Sequence, residues 1–319
     1  MKNLKFTILF FLCILAFVLA ISIGPGEISF GSHLFNDVIL NIRLPRVLTA
    51  FMVGGLLALS GLLFQAMFRN SLATPYTLGV ASGASLGAAL YFLLGVSITI
   101  PFFNVVSVFS FIGALICVLF VYGLANRSGR IETHTLLLSG VVISMVCSSL
   151  ILFIQFLGHE RDALLVVRWL MGGLDIVGMD APLRLLPFAV IGLFFSIYKY
   201  RELNILYLGD DLATSRGVDV IKFRKVLYLL NSFMVAAVVA ECGPIGFVGL
   251  IAPHMAKKLF AHKHQELIPA TFMLGGCLLV ICDLLARNIL QETQLPVGIM
   301  TALLGGPFFL YLLLSEAKS

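Results

Sequence analysis

The chain has 319 residues, of which 60% are hydrophobic and only 12% charged, and its mean hydropathy is +1.06. Soluble domains carry roughly 25% charged residues, so this composition excludes soluble enzymes, disordered regulators and secreted disulfide scaffolds, and it puts the chain in a bilayer. The net charge of +5 is no nucleic-acid signature, because the basic residues sit in short clusters between apolar runs, where they mark topology.

A spanning helix takes about 20 apolar residues. Breaks at glycine, proline and charge give ten candidates: 4 to 23, 46 to 67, 78 to 96, 101 to 125, 135 to 157, 183 to 199, 224 to 242, 246 to 261, 267 to 289 and 297 to 315. In the first, Lys2 and Lys5 precede an apolar run that reaches Ile23 and fills a bilayer; Ala20-Ile21-Ser22 also resembles a signal-peptide cleavage site, and either reading starts the N-terminus on the cytoplasmic side. The second span carries a small face of Gly54, Ala58 and Gly61. In the third, Gly79, Gly83 and Gly87 recur every fourth residue beside Ala84 and Ala88, which predicts a seam that a neighbouring backbone approaches closely. The first six spans place no carboxylate near the midplane. Later spans hold Glu241, His254, and the i, i+4 pair Asp283 and Arg287, which can meet on one helix face.

Cys13, Cys117, Cys147, Cys242, Cys277 and Cys282 fall in or beside apolar segments with no CxxC spacing and read as buried thiols. His262 and His264 follow Lys257 and Lys258, whose charge opposes a metal there, so no metal site is expected.

Ten spans from a cytoplasmic N-terminus return the C-terminus to the cytoplasm. All nine lysines then fall inside, with Arg69, Arg127, Arg130, Arg201, Arg216 and Arg224. Outside remain Arg43, Arg46, Arg161, Arg168, Arg184 and Arg287, a bias of fifteen to six that follows the positive-inside tendency and asks for a second role for the exceptions.

No GxxxxGK[ST] loop is present to bind a nucleotide. Energy would come from a partner ATPase. The competing class, an ion-coupled secondary transporter, would be expected to place carboxylates at the midplane. The longest charged stretch, RELNILYLGDDLATSRGVDVIKFRK from Arg201 to Lys225, is too polar to span. Asp210 and Asp211 are expected to cap a short helix toward Ser215, Gly217 to end it, and the chain to turn helical again from Val218. Short helices on the cytoplasmic face fit the groove of a partner.

Four blocks occur in order: RLPRVLTAFMVGGLLALSGLLFQAMFRNSLATPYTLGVASGASLG (Arg43 to Gly87), LYLGDDLATSRGVDV (Leu206 to Val220), ECGPIGFVGLIAPHMAKKLF (Glu241 to Phe260) and LPVGIMTALLGGPFFLYLLL (Leu295 to Leu314). Through them the chain resembles the FecCD-type permease subunits of binding-protein-dependent ABC importers for iron-siderophores, haem and vitamin B12. The resemblance implies an all-α polytopic membrane protein of about ten transmembrane helices with the type II ABC importer permease fold. It forms one domain over 1–319, with a cytoplasmic coupling segment at 201–225. It also implies pairing with a second permease subunit, as a homo- or heterodimer around a central path, with two ATP-binding subunits below and a solute-binding protein above. ATP and Mg belong to the ATPase partners; this chain is expected to bind no cofactor, metal or nucleic acid and to catalyse no bond chemistry.

By the same resemblance Arg43, Arg46 and Arg287 match outer arginines that meet carboxylates on the binding protein, a task that suits the guanidinium fork. Leu208, Gly209, Asp210, Asp211, Leu212, Ala213, Arg216, Gly217 and Val218 match the segment that presses into the ATPase. Asn70 and Leu72 match a position near the cytoplasmic gate, with Thr133 and His134 in the loop beside it. Two departures stand out: Ser71 replaces the family's usual proline, and Gly306 replaces a frequent alanine before Pro307 and Phe308. The expectation is an importer permease in the bacterial inner membrane, with both termini cytoplasmic and ferric siderophore as cargo, haem and vitamin B12 being the alternatives. Its spans supply mainly Ser, Thr, Gly and Met, consistent with a path that does not hold cargo tightly.

Overall fold

The computed structural model describes residues 2–24, 38–96, 98–126, 133–260, 263–290 and 294–316, which contain helices and no strand. The helices are α1 (Lys2–Ser22), α2 (Leu44–Phe68, led in by a π-helical turn at Ile39–Arg43), α3 (Val80–Leu94) and α4 (Val105–Ala125). They continue with α5 (Thr133–Leu157), α6 (Glu160–Leu170), α7 (Asp180–Tyr198), α8 (Tyr200–Leu208) and α9 (Asp210–Ser215). The last four are α10 (Val220–Cys242), α11 (Val248–Leu259), α12 (His264–Asn288) and α13 (Val297–Glu316). Each of the ten spans expected from sequence coincides with a helix. Among the described residues seven, α1, α2, α4, α5, α7, α10 and α12, are long and apolar enough to cross a membrane. In a bilayer this follows from chemistry, because a backbone without water must bond to itself.

Contacts define two ends of the bundle. At the connector end, which carries α8 and α9, Lys5 Nζ donates to the Leu259 carbonyl at 2.7 Å, and Lys225 lies 5.3 Å from the Tyr122 ring centroid. At the arginine end, Arg43 donates to the carbonyls of Ile21 and Ser22, and Arg184 meets Glu241. Successive long helices alternate between these ends.

The centre is α2. Over 83% of its most apolar window it is buried, against 67% for α10 and α12 and 22% for α1 and α5. Small residues let it sit there: a Cβ on Gly54 would strike the Gly275 backbone of α12, and one on Gly61 the Gly249 backbone of α11.

Two spans depart from expectation. The structure shortens 78 to 96 and 246 to 261 to α3 and α11, with 15 and 12 residues. At 1.5 Å per residue these measure about 22 and 18 Å, short of the roughly 30 Å apolar layer. Both begin inside the bundle. The chain between α2 and α3 re-enters as a 3-10 turn at Pro75–Leu78, and the chain between α10 and α11 dives to meet it. There the Tyr76 hydroxyl donates to the Ile245 carbonyl at 2.5 Å and accepts from its amide at 2.9 Å. Irregular backbone is tolerated at such depth only where protein encloses it. The short helix α6 was not foreseen at all.

Candidate functional site

The connector end is built from α8 and α9. The chain turns between them at Gly209, whose φ of 137° and ψ of 157° suit only glycine, and leaves α9 through Gly217, left-handed at φ 82°. Val218 N bonds back to the Ala213 carbonyl at 3.0 Å, closing a glycine-ended helix terminus. Asp210 and Asp211 do not cap α9 as expected. Gly209 is its N-cap, and the two acids stand in the first turn, facing the positive end of the helix dipole. Nor does α10 begin at Val218: Asp219 caps it, accepting from Lys222 N at 3.1 Å. That amide and the Lys222 ammonium, 3.0 Å away, hold the Asp219 carboxyl below the usual carboxylate range.

Leu208, Asp211, Leu212, Arg216 and Gly217 lie exposed, Val218 and Gly209 are half-buried, and Ala213 is the buried anchor. Asp210 ties the segment to the bundle through Arg224 at 2.9 Å and Arg69 at 3.6 Å. Exposed leucines among charges, on two short helices pinned from behind, form a surface suited to a protein partner.

Behind it lies a network that sequence did not reveal. Lys257 of α11 donates to Gln65 of α2 at 2.7 Å and lies 5.9 Å from the Tyr207 ring of α8. Asn204 of α8 accepts from His264 N at 2.9 Å and meets its Nδ1 at 2.8 Å. These groups are up to 192 residues apart, beyond any local pattern.

Arg43, Arg46 and Arg287 do come together, at the arginine end, and all three are buried. Asp283 is the hub for two of them: Arg46 Nε donates to its Oδ1 at 2.9 Å and Arg287 Nε lies 3.0 Å from Oδ2. Arg46 also donates to Gln294 at 2.7 Å, Arg287 to the Ala20 carbonyl at 3.1 Å, and Arg43 to the carbonyls of Ile21 and Ser22 at 3.0 and 3.1 Å. Two guanidinium groups share one carboxylate, and carbonyls at the end of α1 accept from the third, Arg43, and from Arg287. The Asp283–Arg287 spacing was legible on one helix; the Arg46 contact spans 237 residues and was not. Beside the cluster, a cavity of about 420 Å³ is lined by Arg46, Arg168, Asp175, Glu241 and Gln294 among apolar residues.

At the expected gate, Asn70 and Leu72 are exposed, and the Asn70 side chain accepts from Leu72 N at 2.9 Å. This Asx turn shapes the loop where the family's proline is replaced by Ser71. His134 is exposed on the first turn of α5; Thr133 begins that helix and its side chain lies outside the description. Of the glycine series, Gly83 and Gly87 meet the α4 backbone around Gly113 and Phe109, whereas Gly79 has room and serves at a left-handed φ of 75° before α3. All six cysteines are free and buried. His264 is buried against Asn204, and His262 lies outside the described residues.

A family model described as the FecCD transport family matches residues 7–315. The chain is similar to the iron(3+)-hydroxamate import system permease protein FhuG of Bacillus subtilis (strain 168), with 34% identity covering 96% of this chain and 95% of the relative. It is 36% identical to the hemin transport system permease protein HmuU of Yersinia pestis, covering 97% and 95%, and 36% identical to the vitamin B12 import system permease protein BtuC of Salmonella typhi, covering 93% and 89%. Among solved structures, an inward-facing conformation of a metal-chelate type ABC transporter superposes with a TM-score of 0.90 at 30% identity, covering 99% of this chain and 100% of that one. PsaBC from Streptococcus pneumoniae, at 17% identity and TM-score 0.57, shares the fold. A match along nearly the whole chain, on a helical bundle of the same shape, makes this multi-pass membrane protein a member of the FecCD transport family.

Proposed function

We propose that this chain is the membrane-spanning permease subunit of an ATP-driven importer of metal chelates, with a ferric siderophore as cargo. The observation that carries the reading is its end-to-end likeness to import permeases, joined to a pinned surface at the connector end. The connector end faces the cytoplasm, with both termini, in a bacterial inner membrane. There the exposed residues of α8 and α9, with Asp211, Leu212 and Arg216 foremost, press into one of two ATP-binding subunits that hold ATP and Mg. Closure of those subunits pushes α8 and α9, and the ties from Asp210 to Arg69 and Arg224 pass the movement to the ends of α2 and α10. The loop around Asn70 and Leu72, beside Thr133 and His134, gates the inner end.

The arginine end receives an external solute-binding protein. Two more guanidinium groups than carboxylates in the Arg43, Arg46, Arg287 and Asp283 cluster set a positive potential for its acidic groups. A second permease subunit pairs with this one, and the apolar face of α5, where Met145 is 67% and Phe156 85% exposed, is open to either that subunit or lipid. The test is uptake: a deletion strain should lose transport of radiolabelled ferric hydroxamate and regain it with the gene, and the tagged chain should co-purify with an ATPase. Transport by the isolated chain on an ion gradient, with no ATPase present, would overturn the reading.

A further inference from the structure

On the flank of the bundle, near the arginine end, a cavity of about 650 Å³ opens between α4 and α7 with α10 as its floor. Ala237 and Ala240 keep that floor low. Phe111 and Phe188, with ring centroids 6.2 Å apart, close it toward the middle of the bundle, while Phe102 and Arg184 roof it. Ile112 and Leu183 on the open side are 51% and 48% exposed. The size suits a small apolar ligand, for which pockets run about 300–1,000 Å³. All three helices are long and apolar enough to cross a membrane, so the medium at the mouth is acyl chain.

Ser107 and the Arg184–Glu241 pair are the polar side chains that line this apolar recess, and Arg184 overhangs it. Arg184 carries five N–H donors. Its Nε and Nη2 hold Glu241 at 2.8 Å each, and Nη1 donates to the Phe102 carbonyl. One hydrogen on each terminal nitrogen is left without a partner among these bonds. The residue stands in the second turn of α7, level with the turn at Phe102 and Phe103 that leads into α4, near the end of both spans where the headgroup layer begins.

We propose that this groove is a phospholipid site. The methylenes next to the glycerol fill the recess, and the headgroup phosphate accepts the two remaining N–H groups of Arg184. From Arg184 to Phe188, and from Glu241 to Ala237, four residues of helix give a depth of about 6 Å, enough for the upper part of one chain. Filling it removes a void that would otherwise leave the ring and alanine surfaces without partner atoms. A lipid held here needs only the chain in its membrane, whatever cargo the protein moves.

The experiment is native mass spectrometry of the protein purified with its partners in mild detergent and titrated with 1-palmitoyl-2-oleoyl-phosphatidylglycerol. One tightly held lipid per chain is expected. Ala240→Phe, which fills the floor, should abolish it, and Ile112→Trp at the exposed rim, which does not touch the packed interior, should weaken it several-fold. The pair Arg184→Gln with Glu241→Gln keeps the site neutral and should cut the preference for phosphatidylglycerol over diacylglycerol of the same chains by about tenfold, the scale of a lost charge-assisted bond. Undiminished retention in both filled variants overturns the site, as does a disulfide between Ile112→Cys copies in native membranes, which would show a second chain covering the groove. An unchanged lipid preference in the Arg184 pair overturns the phosphate contact.

Discussion

Asp283 shows how far a residue's type is from its role. In sequence it is one acid in a greasy helix; in the fold it is the counter-charge for Arg46 and Arg287, both nearly excluded from solvent. Asp283→Ala would strand those guanidinium groups, and breaking a buried pair costs about 3–5 kcal/mol, which thermal unfolding of the purified protein would read as a large loss. Arg43 is the cleaner probe of docking, since it bonds only carbonyls at the end of α1 and a glutamine can still donate there. Arg43→Gln should leave unfolding unchanged and weaken the binding protein by about tenfold, consistent with the loss of one charge-assisted contact. Charge reversal at Arg46 is a poorer test, because the new carboxylate would face Asp283. The glycines divide as sharply: nothing lies within 4 Å of a Cβ at Gly306, while one at Gly61 collides with the Gly249 backbone. Gly306→Ala should raise stability by up to about 1 kcal/mol through helix propensity, and Gly61→Ala should lower it by about 1–3 kcal/mol or more through overpacking.

At the scale of elements, α9 is flanked by two glycines in backbone conformations that suit glycine, Gly209 and Gly217, and the proposed coupling role would use them as the hinges of a lever. Gly217→Val forces a β-branched side chain into a left-handed backbone. Together with Asp211→Ala it should leave ATP hydrolysis running while uptake falls, so the ratio of ATP consumed to cargo imported rises; normal transport in both variants would remove α9 from the coupling role. Lys257→Met should act differently. It breaks the tie from α11 to Gln65 and Tyr207 without touching the exposed surface of α9, so ATPase binding should persist while coupling falls, and Lys257→Arg should restore part of it. The helix positions themselves were legible, because ten apolar runs between charges have one satisfactory backbone conformation in lipid. The depths of α3 and α11 were not. Hydropathy reads the same whether a glycine-rich run crosses or starts halfway, and the difference was made by Tyr76 bonding Ile245 and by the contact of Gly61 with Gly249.

For the whole molecule, alternation of long helices between two ends, with Lys5 and the Asp210 ties at one and the arginine cluster at the other, agrees with the segregation of charge in the sequence. A cysteine replacing Phe156 on α5 should cross-link two permease subunits in the membrane; protection of that site by lipid alone would place the partner elsewhere. The sequence by itself determined that the chain is a many-helix membrane protein, where its apolar spans lie, which family it belongs to, and which residues are unusual for their surroundings. These are properties of composition and local order, which hydration energy and backbone bonding translate directly into helices. Tertiary structure alone decided that the three arginines are buried together, that Arg46 and Arg287 share Asp283, that α3 and α11 begin within the bundle, and that Lys257 and Arg184 sit at junctions between helices. Each of these is a contact between residues far apart in the chain, and only packing, which fixes which helix faces meet, can specify it.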